Sequence, residues 1–247
     1  METALATIGF NIPESADEIL ENFGKNMALP EHKGIANLQV NGNSGEVTFG
    51  LSDREEVDEG AAFVVDVASF VHGYRLWLSK PDGAFAPPCE VMAPEASETL
   101  EQIKARLPSK ESLLPLTPSN NGDWKEALGF RLLGISGNVT GTAVEYVTDA
   151  RGAIGEIGKL VGAIKRQRTA NPGAVYPVVR IVPEAFTTKK FKSKTSYKPT
   201  FRVVEFITAR QLRDRVAALA GGEAPEEVIE AEVREIPTTT TKARRRA

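Results

Sequence analysis

Histidine and cysteine are almost missing from this chain of 247 residues, which carries two of the first and one of the second. A single thiol, Cys89, excludes a disulfide within the chain and suits a reducing compartment. His32 and His72 lie far apart in sequence, and neither HExxH nor CxxC occurs. The familiar zinc ligand sets are therefore excluded, and no metal or other cofactor is expected. A Cys–His nucleophile would need Cys89 beside one of those histidines and a third group to orient it. The Pro-Pro-Cys setting after Ala-Phe-Ala favours a packed, inert thiol, and His72 before Gly73 reads as a turn or surface histidine. Long apolar runs are lacking as well, since none approaches the ~18–20 residues of a membrane-spanning helix. The opening METALATIGFNIPESADEIL has acids where a secretory signal has basic residues and then an apolar core. These absences predict a cytoplasmic protein with no membrane partner.

What is present is charge sorted by position. Residues 1–150 hold 10 Lys+Arg against 23 Asp+Glu, whereas residues 151–215 hold 15 against 4. The formal net charge of −3 hides a strongly basic segment. In it Lys159, Lys165, Arg166, Arg168, Lys189, Lys190, Lys192, Lys194, Lys198 and Arg202 are interleaved with Tyr176, Phe186, Phe191, Tyr197 and Phe201. Cations mixed with aromatic rings suit a polyanion whose bases can stack, which is single-stranded nucleic acid before a simple anion. The competing reading is that the basic stretch pairs with the acidic half inside one fold, because charge blocks are usually solvated faces.

Periodicity predicts three regions. Residues 1–45 read as weakly structured, with helical turns at Asp17 to Phe23 and glycine or proline interrupting any longer element. Residues 46–220 read as one folded domain. Its strands are EVTFGL (46–51), the apolar run AAFVVDVASF (61–70), YRLWLS (74–79), 129–135, 142–147, YPVVRIV (176–182) and TFRVVEFI (200–207). Val71-His72-Gly73 is expected to turn the second into the third. Seven prolines between Pro81 and Pro118 mark a loop excursion, with a helix at Ser97 to Leu107 capped by the serine. The clearest helix runs from about 149 to 169. It has an apolar stripe of Ile154, Ile157, Leu160, Val161 and Ile164. A second stripe, Gly155, Gly158 and Gly162, costs ~1 kcal/mol per glycine relative to alanine and suggests close backbone approach. Lys159 and Arg166 point away from the apolar stripe. A helix at 209–219 ends the domain, and residues 221–247 read as a disordered tail.

The fold class is mainly β with α. The order fits an oligonucleotide-binding-like five-stranded barrel with one long helix between its third and fourth strands, followed by a C-terminal helix. The connector FTTKKFKSKTSYKP is then the loop between strands four and five, one of two such loops that hold nucleic acid.

Other chemistry fails on detail. Gly158-Lys159 lacks the glycine five positions earlier and the following Ser or Thr of a phosphate-binding loop. A two-metal nuclease would want acids such as Asp66, Glu145 and Asp149 brought together, and nothing in their spacing demands it. The residues expected to bind nucleic acid are Trp77, Lys159, Arg166, Lys189, Lys190, Phe191, Lys192, Lys194, Tyr197, Lys198 and Arg202. Phe191 and Tyr197 are the first stacking candidates.

The stretch GAIGEIGKLVGAIKRQRTANPGAVYPVVRI, followed by YKPTFRVVEFI, resembles phage and prophage proteins encoded near replication or recombination functions. The resemblance covers about residues 60–207 and rests on spacing. It implies a non-enzymatic protein of a bacterial host's cytoplasm that coats or handles single-stranded DNA, with replication or recombination proteins as possible partners and possible homo-oligomers. The chain departs from bacterial single-strand-binding proteins at its end, KARRRA, where they carry an acidic tail with an apolar tip. The alternative is a phage accessory or assembly protein whose basic half docks an acidic protein.

Overall fold

The computed structural model describes residues 36–50, 53–94, 97–119, 122–188 and 191–220. The expected helical turns at 17–23 and the tail at 221–247 lie outside these. Eleven strands among the described residues form one sheet. They are β1 (Ala36–Val40), β2 (Val47–Gly50), β3 (Glu55–Glu56), β4 (Ala62–Val65), β5 (Val71–Ser79), β6 (Phe85–Pro94), β7 (Thr117–Pro118), β8 (Lys125–Gly134), β9 (Ala143–Thr148), β10 (Ala174–Thr188) and β11 (Phe191–Thr208). The helices are α1 (Leu100–Ala105), α2 (Arg151–Ala170) and α3 (Ala209–Ala220). No helix among the described residues is long and apolar enough to cross a membrane.

The sheet path runs β11-β10-β4-β8-β9-β1-β2-β3, and β5 pairs with β6, β7 and β8 off that path. It is a mainly β fold with a curled, half-barrel sheet, and five strands do not account for it. The curl follows from the aromatic core. Tyr146 on β9 and Phe201 on β11 are four strand steps apart, ~19 Å in a flat sheet. Their ring centroids are 5.6 Å apart, and each also packs edge-on against Phe130.

The run expected as one strand at 61–70 is broken. β4 pairs with the end of β8 (Phe63↔Gly134 to Val65↔Leu132), and β5 pairs with its beginning (Val71↔Gly129 to Arg75↔Lys125). Between them, after a last bond from the Asp66 N–H to the Arg131 carbonyl, residues 67–70 leave the ladder, because the Asp66 Oδ1 accepts the Ala68 N–H and Ser69 Oγ donates to the Asp66 carbonyl. An aspartate bonding its own backbone two residues on is a turn former. The turn therefore falls there, and Val71-His72-Gly73 opens a strand. His72 donates through Nε2 to the Glu98 carbonyl at 2.7 Å.

The proline-rich stretch is less loop than expected. β6 keeps Pro87 and Pro88 because its outer edge has no partner strand among the described residues, and an edge strand tolerates a missing N–H. α1 is capped by Thr99 rather than Ser97. Thr99 Oγ1 accepts from the Gln102 N–H and the Gln102 side chain accepts in return, a reciprocal cap. Its Ile103 is buried against Tyr74 and Ala93. Residues 36–45, read as part of a weakly structured segment, hold β1 and its turn. β1 pairs antiparallel with β2 and parallel with β9.

Candidate nucleic-acid interface

The basic connector is not a loop. β10 and β11 pair antiparallel from Ala174↔Thr208 out to Thr188↔Phe191, so most of it is a two-stranded ribbon. β10 is held on its other side by β4 only at Val178–Arg180. Beyond that point β10 pairs only with β11. Alternation along β11 turns Phe201 into the core and Arg202 outward. Arg202 lies directly opposite Arg180, and both are exposed. Four residues along, Lys198 lies opposite Glu184 at 3.3 Å, and Thr200 Oγ1 donates to Glu184 at 2.9 Å.

Helix α2 meets this face. Ala153, Ile157, Leu160 and Ile164 bury its apolar stripe. Glu156, on the same helix, is only 5% exposed and receives Lys198 at 2.6 Å and Lys159 at 2.8 Å. Burial pushes the Glu156 carboxyl up, but the bonds and charges of the two lysines outweigh it and hold the group below its usual value. The bond to Glu156 in turn raises Lys198 above the ordinary lysine value. Thr200 and then Lys198 hold Glu184 low. Lys159 itself is 71% exposed and can turn to a ligand.

The glycine stripe of α2 has a different setting from the one expected. A methyl group at Gly155 or Gly158 would meet nothing within 4 Å, and one at Gly162 would meet only the Arg166 guanidinium. No close backbone approach explains these glycines among the described residues. Lys165 and Arg166 are exposed on the same helix.

Trp77 stands at the other end of α2. Its Nε1 donates to Asp149 Oδ2 at 3.2 Å, two residues before the helix begins. The Arg75 guanidinium sits 5.2 Å from the indole centroid, and Arg75 Nε donates to Glu90 at 2.7 Å. The indole is thus fixed on two sides and remains 38% exposed. Asp149 also lies 3.6 Å from Lys125. Three residues on, the Gly152 backbone abuts the Lys198 stem, 3.6 Å from where a Cβ would stand. The first turn of α2 therefore bridges Trp77 to the cations of the ribbon.

No family model, curated protein or solved structure matches the chain. Lys159 and Lys198 come together on Glu156, Arg202 lies four residues further along β11, Trp77 joins Lys198 through the start of α2, and Arg166 is exposed further along that helix. Tyr197 is half-buried: its ring lies under Gly45 and its N–H donates to the Gly42 carbonyl at 2.8 Å. Phe191, Lys192 and Lys194 lie on β11, and Lys189 and Lys190 lie outside the described residues. Arg180 was not among the expected residues. Its signal is the alternation of YPVVRIV, which sets it on the face opposite Val179 and Ile181.

The acids that a nuclease would use are engaged otherwise. Asp66 and Glu145 are buried, Glu145 lies opposite Arg131 at 3.8 Å, and Asp149 serves Trp77 and Lys125. Among the described residues no group of three or more His, Cys, Asp or Glu is placed to hold a metal ion. Burial, and then Glu90, raises the Cys89 thiol above its ordinary value, which disfavours the reactive thiolate.

Proposed function

We propose that the protein binds single-stranded DNA without sequence preference, in phage-type replication or recombination, through the β10–β11 ribbon and the surface beside it. One observation carries this reading. The segment 185–204 contains six Lys or Arg and no acid, and strand pairing extends it as a ribbon past the edge of β4. Such a shape offers phosphates a cationic track, and the exposed indole of Trp77 offers a base a stacking surface.

The connectivity supports the same reading. Taking β4 and β5 as one broken strand, the chain continues as β8, β9, α2, β10 and β11, with β10 paired to β4, β4 and β5 to β8, and β8 to β9. This order is compatible with an oligonucleotide-binding barrel whose helix follows its third strand, and on that reading the ribbon corresponds to the last connecting loop, which such barrels use for nucleic acid. β1–β3 and the β6–β7 region are additions to it.

Gel shifts with single-stranded DNA, duplex and RNA ligands test the proposal. Length-dependent binding of the single strand, weakening steeply with salt, is expected. Replacing Lys189, Lys190, Lys192 and Lys194 by alanine should flatten the salt slope by about 2–3, at ~0.7 per phosphate contact on a single strand. No shift with any ligand, together with a stable complex with an acidic protein, would replace this reading by the accessory-protein alternative.

A further inference from the structure

Two arginines occupy a place that strand pairing alone disfavours. Arg180 on β10 and Arg202 on β11 are direct cross-strand partners and both are exposed. Like charges directly opposite one another weaken an antiparallel pair. Other described cations on or beside this sheet have acids. Arg75 has Glu90, Arg131 has Glu145, Lys198 has Glu156 and Glu184, and Arg215 of α3 holds Glu205 of β11. No ion pair of Arg180 or Arg202 occurs among the described residues. The third member of their row is Ala62 on β4, which brings no countercharge. Glu184, four residues along β10 from Arg180, is already engaged by Lys198 and Thr200.

We infer that Arg180 and Arg202 form a two-pronged clamp on one phosphodiester group of a single-stranded DNA backbone, at the base of the ribbon. The inference rests on the single-strand reading above and supplies its fixed anchor point. Cross-strand partners have Cα atoms ~4.5–5.5 Å apart, so two guanidinium forks can grip the oxygens of one phosphate from two sides. A planar fork donates two parallel hydrogen bonds to such a group, and an ammonium does not. The clamp touches backbone alone. It is therefore indifferent to base sequence, and it contributes equally on RNA.

Fluorescence anisotropy with a labelled oligothymidylate, over a series of salt concentrations, tests this. Arg180→Ala with Arg202→Ala should weaken binding at least tenfold and flatten the salt slope by about 1.4, two contacts at ~0.7 each. Arg180→Lys with Arg202→Lys should keep the slope and still lose affinity several-fold. Lys104→Ala on α1 removes the same kind of charge far from the ribbon and should change neither. The melting temperature of the double alanine variant should not fall, because the pair repels itself in the free protein. If that variant does not fold, Arg202→Lys alone carries the comparison. Wild-type affinity and slope in the double alanine variant would overturn the clamp and leave the single-strand reading standing, as would full affinity in the lysine variant. Failure of the wild-type protein to bind the oligonucleotide at all would overturn the reading and the clamp together.

Discussion

Lys198 Nζ and Glu156 Oε1 stand 2.6 Å apart across the junction of β11 and α2, the acid buried and the lysine mostly so. The pair locks the helix to the base of the ribbon. It also divides the cations of this surface into those that hold the fold and those left for a ligand. Removing one member of a pair this buried leaves the other partly uncompensated. Glu156→Gln should therefore cost ~2 kcal/mol, read as a melting point ~4–8 °C lower. Lys159→Ala, whose side chain is mostly exposed, should cost ~0–1 kcal/mol.

The same pair sets a pH dependence. Glu156 titrates below its ordinary value in the folded protein. Its contribution is therefore complete above the unfolded glutamate value of ~4.3 and is lost as pH falls through the lower folded one. Lys198 titrates above its ordinary value when folded. Its contribution is complete below ~10.4 and is lost as pH rises through the higher folded value. Denaturant midpoints measured across pH should fall less steeply on the acid side in Glu156→Gln than in the wild type. Equal slopes would mean that the carboxylate is not held by its lysines.

Gly155→Ala and Gly158→Ala should each stabilise the protein by up to ~1 kcal/mol, because the added methyl meets nothing and the helix gains a better former. The two melting points should rise by ~2–4 °C each. A loss in either would reveal a neighbour on that face.

Gly45→Ala and Tyr197→Ala should both destabilise. Gly45 has φ +82°, and a Cβ there would stand 2.8 Å from a Tyr197 ring carbon. The sequence marked Tyr197 as one of the first stacking candidates. Its packing beneath the β1–β2 turn now predicts a drop of several degrees for Tyr197→Ala in a thermal melt. An unchanged melt would return the ring to the ligand.

Trp77→Ala should weaken oligonucleotide binding by ~1–3 kcal/mol, the worth of one stacked base, with duplex affinity unaffected. In a Trp124→Phe background, the fluorescence of Trp77 should be quenched on adding a single strand. Quenching by duplex as well would move the ring away from unpaired bases.

Strand and helix identity was legible wherever one face repeats its apolar residues, as in 129–135, 142–147, 149–169 and 209–219. Those elements appear at β8, β9, α2 and α3 within a few residues. What the sequence hid was set by distant partners. The break at Asp66 depends on side chains bonding their own backbone. The ribbon forms because 183–188 finds 191–199 in register, although each half reads as polar connector. The acids that neutralise Lys198 come from α2 and β10, and no local pattern announces them. Arg180 was legible in principle, since alternation sets it outward, but its significance lies in Arg202, twenty-two positions away.

One pairing constrains how the molecule comes into being. β1 lies parallel to β9 through Ala36↔Val144 and Asn37↔Glu145, so the earliest described strand cannot be seated until more than a hundred later residues have left the ribosome. Chains are made at ~5–20 residues per second. For some seconds the β1–β2 hairpin therefore waits with an unsatisfied edge, a window in which chaperones or a sister chain have access that the finished protein denies them.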